Sequence, residues 1–324
     1  ADMDMKSIPR SFTSMGTLPR PCTASVWNKI PCSFAIAPIS FIGSIVPISL
    51  FAVIIDIKIV SGLIDAFNCS KSTIPFSSTS RYVTSNPLLS RMDNDVQMLE
   101  GAPMTVSGTI TKTFILLLIA AVSAAAVVYE AFMGYADKVM MIMGIALFAG
   151  LGTGLVTAFV PKLAKFLAPV YAFAQGALLA ALSLIMETQF PGIAMQAVTA
   201  TFFTFFIMLV LYRTGAIRAT EKFRATIMSA MLTILVLYLI NFVGGFFNFS
   251  IPFISGYSKM GIVFSVIVVL VAALSLILDF DFIEQGAQKM LPKDYEWYGS
   301  FGLLVTLVWL YVEILRLLSR LRND

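Results

Sequence analysis

The sequence predicts an all-α membrane protein built as a bundle of seven transmembrane helices. Of its 324 residues, 58% are hydrophobic and 12% are charged, and the mean hydropathy is +0.89. These values exclude an ordinary soluble domain. From Met104 onward, long apolar runs alternate with short polar connections. Backbone groups in lipid must be hydrogen-bonded internally, so each run is predicted to be a helix and not a strand.

Most of the runs reach the length of about 20 residues that crosses about 30 Å of hydrocarbon at 1.5 Å per residue. In chain order they cover residues 114–128, 139–160, 166–186, 192–211, 225–247, 260–278 and 297–318. The first run is short, but Ile110 and Thr111 can extend it past Lys112. Lys138 and Pro161 bound the second run, in which glycines such as Gly144 and Gly150 form a small-residue face suited to helix packing.

The first 83 residues differ from the rest of the chain. All three cysteines and most of the prolines lie in the first 87 residues. We expect residues 1–83 to be disordered or not a natural part of the mature protein, and residues 84–324 to form the seven-helix domain. The alternative is an eighth helix at residues 36–64, a hydrophobic stretch that Pro38 and Pro47 interrupt.

Basic residues in the connections predict the orientation of the chain. One side of the predicted bundle carries eight of them and the other side carries two, Lys138 and Lys259. The eight are Lys162, Lys165, Arg213, Arg218, Lys222, Arg224, Lys289 and Lys293. Because cytoplasmic loops are enriched in Lys and Arg, this asymmetry predicts a cytoplasmic N-terminus, although Arg320 and Arg322 then lie on the opposite side.

Several function classes are excluded or disfavoured by composition. The chain has no histidine, so it cannot form a Ser-His-Asp triad, an HExxH zinc site or an imidazole proton shuttle. The net charge of +4 comes from scattered basic residues and does not indicate a nucleic-acid partner. Any pH response near neutrality must therefore come from carboxylates.

Three acidic residues late in the chain are the candidate functional residues, because a charge inside a membrane helix costs at least about 2.5 kcal/mol. Asp279 and Asp281 close the sixth run, and Glu313 lies sixteen residues inside the seventh. Helical spacing predicts that Asp279 faces neighbouring helices and that Asp281 lies on a solvated face with Glu284 and Gln285. The alternative for Asp279 is a position among the lipid headgroups.

Glu313 also has two interpretations. Arg316 follows it by three residues, so an ion pair within the helix or snorkelling to the interface can satisfy the carboxylate without any function. The functional interpretation is that Glu313 projects into the bundle, where it and Asp279 share a proton and bind a hard cation such as Ca²⁺. If the sixth helix continues to Met290, the two acids differ in level by about 8 Å, whereas a helix ending at Leu278 makes the pairing poor.

Five segments have a distinctive pattern: SNPLLS at 85–90, MTVSGTITK at 104–112, LDFDFIE at 278–284, EWYGSFGL at 296–303 and WLYVEILRLL at 309–318. Together they resemble the Bax inhibitor-1 family, which includes the transmembrane Bax inhibitor motif proteins, in its YccA-like bacterial branch. The resemblance implies seven helices with the last one central, in a bacterial inner membrane. It also implies a pH-dependent Ca²⁺ leak through a carboxylate pair, which here is Asp279 and Glu313, with Glu in place of the usual Asp.

The sequence departs from that family in its second helix, which lacks the arginine that latches the acids in the family's better-studied members, so Arg316 is a substitute candidate. We therefore expect a pH-sensitive cation leak channel, with Asp279, Asp281 and Glu313 as the pH-sensing and cation-binding residues. Asp279 and Glu313 are the candidate Ca²⁺ ligands, and no cofactor is expected. The alternative is a non-transporting membrane regulator that binds a membrane protease or stress-response partner. We expect that the protein is not an enzyme. An intramembrane aspartyl protease is disfavoured because the chain lacks a GxGD motif.

Overall fold

The computed structural model describes residues 103–134, 136–247, 254 and 259–323, and the predicted segment 1–83 lies outside them. The described part contains seven long α-helices and no strand, which confirms the predicted fold class. The helices are α1 (Val106–Phe132), α2 (Ala136–Phe159), α3 (Ala164–Gln189), α4 (Ile193–Arg213), α5 (Glu221–Phe246), α6 (Lys259–Gln288) and α7 (Tyr295–Arg322). All seven are long and apolar enough to cross a membrane.

The largest difference from the predicted runs is at the end of α6, which continues ten residues beyond Leu278 to Gln288. The added turns contain polar residues but no proline, and the first proline after them is Pro292. Polar side chains do not stop a helix; they only mark where the hydrocarbon ends. Asp279 therefore lies inside a continuous helix, and not at its C-terminal end.

The last helix, α7, lies at the centre of the bundle. It packs against α1, α3, α4 and α6, and all of its residues from Tyr298 to Arg316 are buried. By contrast, α2 packs mainly on α3, away from α7. Most side chains of the other helices that face outward are large and apolar, such as Phe114, Phe148 and Phe203, as expected for contact with lipid.

Helices α1 and α3 approach each other closely at Gly176. A Cβ atom on Gly176 would overlap the carbonyl oxygen of Ala120 and lie 2.7 Å from its Cα. In α2, Gly150 faces the side chain of Gln175, but a Cβ on Gly144 or Gly152 would meet no atom within 4 Å. The small-residue contact predicted for α2 therefore involves only part of its glycine face.

Candidate functional site

Asp279 is buried between α6 and α7, with 5% of its surface exposed. The hydroxyl of Thr306 on α7 donates a hydrogen bond to its Oδ2 at 2.6 Å. The same hydroxyl lies 3.2 Å from the carbonyl oxygen of Gly302, one turn earlier on α7. The acid thus has a neutral hydroxyl partner in the interior of the bundle, and this partner has a second acceptor within reach.

Glu313 and Arg316 form an ion pair on α7 that is buried in the bundle, with 0% and 2% of their side chains exposed and Arg316 Nη1 3.2 Å from Glu313 Oε2. Tyr238 on α5 joins the pair. Its hydroxyl donates to Glu313 Oε1 at 3.0 Å and accepts from Arg316 Nη1 at 2.6 Å. The ion pair within the helix and the inward projection, which the sequence left as alternatives, therefore occur together.

Asp279 of α6 contacts the same face of α7 on which Glu313 lies, but the two acids are at different levels along the helix. Thr306, the partner of Asp279, precedes Glu313 by seven residues, which corresponds to about two helical turns and about 10 Å along the axis. Trp309 lies between them, fully buried, and its indole Nε1 has no hydrogen-bond partner among the described residues. We call this side of α7, with Thr306, Glu313 and Arg316, its polar face. Asp279 contacts it through Thr306, and Glu313 contacts Arg316.

Asp281 points away from this face, toward α5. Its Oδ2 accepts hydrogen bonds from Arg224 Nη2 at 2.8 Å and from Gln285 Nε2 at 2.6 Å. Arg224 and Asp281 expose only 16% and 15% of their side chains. Asp281 is thus half-buried, because Arg224 in the first turn of α5 lies over it, whereas Glu284 on the same predicted face is exposed. The periodicity of α6 alone could not reveal this neighbour.

A further buried acid, Glu296, was not among the predicted site residues. It lies in the first turn of α7 with 2% exposure and is paired with Lys112 of α1. Its Oε1 also accepts from the backbone N–H of Thr105 at 2.9 Å and from the Thr105 hydroxyl at 3.0 Å. A Cβ on Gly108 would lie 2.5 Å from this carboxylate. The sequence signal that could have revealed Glu296 is Lys112, because a charged residue near the start of an apolar run needs a buried partner of opposite charge.

Arg320 is also buried, with 2% exposure, although the sequence placed it beyond the last helix. Its guanidinium donates to the backbone carbonyls of Gly261 and Ile254. These contacts join the last turns of α7 to the beginning of α6. Arg320 therefore belongs to the packing of the bundle.

No group of three or more His, Cys, Asp or Glu side chains that could hold a metal ion occurs among the described residues. The two candidate Ca²⁺ ligands, Asp279 and Glu313, thus lie along one helix face without forming such a cluster.

A protein-family model described as Bax inhibitor 1 like matches residues 79–323 of the chain. No curated protein matches the sequence, and no solved structure matches it. The matched region contains all seven helices and every residue of the polar face.

Proposed function

The chain belongs to the Bax inhibitor-1 like family, and on that premise we propose that it is a pH-sensitive cation leak channel. Ca²⁺ is the expected ion and is the transported substrate, not a resident cofactor. Asp279 is the residue whose protonation changes the conductance. Glu313 lies further along the same path with its charge balanced by Arg316.

The observation that carries this proposal is the environment of Asp279. It is buried between two membrane helices, and its hydrogen-bond partner among the described residues is the neutral hydroxyl of Thr306. An ionised carboxylate without a positive partner is costly in such a place, so proton binding or cation binding has a large effect on its energy. A group in this position can couple the protonation state to the passage of a cation.

Glu313 has a different part in the proposed mechanism. Because Arg316 and Tyr238 satisfy its carboxylate, it does not need a proton to remain buried. A cation that moves along α7 would have to compete with Arg316 for Glu313. This competition favours brief occupancy over tight binding, which suits conduction.

We further propose a location in the bacterial inner membrane, as in the YccA-like branch, with the N-terminus cytoplasmic. The eight-to-two distribution of basic residues between the connections supports this orientation. The end of α6 and the start of α7 are then cytoplasmic, and the Glu313–Arg316 pair lies toward the outer half of the bilayer.

The test is Ca²⁺ flux into liposomes containing the purified protein, measured across a range of pH. Asp279→Asn keeps the size and the hydrogen bond to Thr306 but cannot titrate, so we expect flux that no longer depends on pH. Asp294→Asn is the matched control, because Asp294 is an exposed acid in the turn before α7. It should leave the pH dependence unchanged.

Glu313 is tested together with its counter-ion, since Glu313→Gln alone leaves Arg316 as an uncompensated buried charge. We expect Glu313→Gln with Arg316→Gln to alter the size of the flux and to keep its pH dependence. Unchanged pH-dependent flux in the combined Asp279→Asn and Glu313→Gln variant would refute the mechanism. Co-purification with a membrane protease or another membrane protein, without measurable flux, would favour the regulator.

A further inference from the structure

Among the described helices, α5 packs mainly against α6. The buried side chains on its inner face follow one helical row, Ile227, Met231, Ile234, Tyr238 and Asn241. Its other faces carry exposed apolar side chains, Leu232, Val236, Leu239, Ile240 and Val243. Lipid tails surround these apolar groups as favourably as protein does, so apolar burial gives α5 little preference for the docked position.

Among the residues that the structure describes, two polar contacts join α5 to α6 and α7. Near its start, Arg224 pairs with Asp281 of α6 at 2.8 Å. Fourteen residues later, the hydroxyl of Tyr238 bonds Glu313 and Arg316 of α7. This separation is nearly four helical turns, or about 21 Å, so both contacts lie on one face of α5 near different membrane depths.

The two contacts involve two of the three acidic residues predicted from the sequence. Asp281 and Glu313 each have a partner from α5, and neither partner lies on the helix of its acid. The aromatic ring of Tyr238 also packs against Phe264 of α6, with ring centroids 6.1 Å apart. The position of α5 therefore determines whether Asp281 keeps its ion pair with Arg224 and whether Glu313 keeps its hydrogen bond from Tyr238.

We propose that α5 is a latch helix: the Arg224–Asp281 ion pair and the Tyr238–Glu313 hydrogen bond hold it docked, and breaking them lets it move away from α6 and α7. Its movement uncovers Asp281 and Glu313 and opens a lateral path to the polar face of α7. The effect of this movement on conductance rests on the proposed function. The movement itself rests on the contacts of α5 alone.

Distances between spin labels test the movement directly. The three cysteines, Cys22, Cys32 and Cys69, are first replaced by serine. Labels are then placed at exposed positions, Leu232→Cys on α5 and Val122→Cys on α1. A second label pair, Val122→Cys with Phe203→Cys on α4, reports whether the bundle as a whole is disturbed.

Arg224→Gln and Asp281→Asn should each add a longer-distance population for the α5 label and leave the α4 label unchanged. We expect the ratio of undocked to docked molecules to rise about tenfold, because the lost ion pair is shielded from water but lies near the membrane surface. The exchanged pair, Arg224→Asp with Asp281→Arg, should restore the original distribution. Arg218→Gln removes an exposed charge from the preceding connection and serves as the matched control.

Unchanged α5 distances in both Arg224→Gln and Asp281→Asn would overturn the proposal, as would an equal response to Arg218→Gln. If Arg224→Gln does not fold, Asp281→Asn is compared with Arg224→Lys, which keeps the positive charge and should keep α5 docked. Equal label distances in these two variants reject the latch. Tyr238→Phe tests the second contact in the same way and should shift the population in the same direction.

Flux measurements on these variants separate the latch from the proposed function. If α5 gates the path, Arg224→Gln increases Ca²⁺ flux about as much as it increases the undocked population. Absence of flux in the unaltered protein at every pH defeats the proposed function, while the label distances still decide whether α5 is a latch. A change in flux without a change in label distance rejects the latch, while the proposed channel function stands.

Discussion

Thr306 shows how a single hydroxyl can serve both protonation states of a buried acid. It has one proton and two acceptors within reach, Asp279 Oδ2 at 2.6 Å and the Gly302 carbonyl at 3.2 Å. When Asp279 is ionised, the hydroxyl donates to it. When Asp279 is neutral, the acid can donate to the Thr306 oxygen while the hydroxyl proton turns to Gly302. Asp279 and Thr306 therefore remain hydrogen-bonded to each other in either state.

Glu296 is a residue outside the proposed path whose charge should contribute to the stability of the fold. Its carboxylate is buried against Lys112 and accepts two hydrogen bonds from Thr105. Glu296→Gln leaves the Lys112 ammonium without its counter-charge, so we expect a loss of about 3 kcal/mol in the free energy of unfolding. Denaturant titration in detergent micelles measures this change.

The control for Glu296→Gln is Glu130→Gln. Glu130 lies 4.0 Å from Lys138, and both side chains are exposed at 40% and 53%, so its loss should cost less than about 1 kcal/mol. Combining Glu296→Gln with Lys112→Met should recover part of the stability, because no unpaired charge remains. Equal losses in the single and the combined variant would show that the pair is not coupled.

At the scale of the helices, the interface of α1 and α3 depends on the absence of a side chain at Gly176. Gly176→Ala would place its Cβ against the backbone of Ala120, which cannot move without shifting a whole helix. We expect a loss of about 1–3 kcal/mol in the free energy of unfolding. Gly152→Ala is the control, since its Cβ meets no atom within 4 Å, and its effect should stay within about 0.5 kcal/mol. A similar loss in both variants would contradict the close approach.

The extended α6 decides the environment of Asp279. Had the helix ended at Leu278, the last-turn position would have been unfavourable for a carboxylate and the acid could have reached the headgroups. The continuation to Gln288 places Asp279 well before the helix end and beside Thr306. Because the helix continues through both acids, Asp281 is rotated by about 200° around the helix axis relative to Asp279, and it faces α5.

At the scale of the whole molecule, the proposed orientation can be checked by chemical labelling. In the cysteine-free chain, single cysteines replace Met133 and Phe247, which are exposed at the ends of α1 and α5. A third variant carries Lys293→Cys in the turn before α7. With a cytoplasmic N-terminus, a membrane-impermeant maleimide should label positions 133 and 247 in intact cells, and position 293 only after permeabilisation. The reverse pattern would place the N-terminus outside.

Helix number and most helix positions could be predicted from the sequence, because each apolar run is continuous and the cost of exposing backbone to lipid leaves one solution. The predicted runs fell short at the start of α1 and at the ends of α6 and α7, where polar residues continue a helix past the hydrocarbon. The burial of Asp279 followed from its helical row with Ala272 and Ser275, all of them buried.

What the sequence by itself determined is the family, the seven helices and the inward face of Asp279, since these depend on local order and composition. Only the tertiary structure decided the partners: Arg224 for Asp281, Tyr238 for Glu313 and Lys112 for Glu296. These partners are 57, 75 and 184 residues apart in the chain. Periodicity defines the faces of one helix, but which faces meet depends on how the whole bundle packs in a lipid environment that favours no apolar pairing over another.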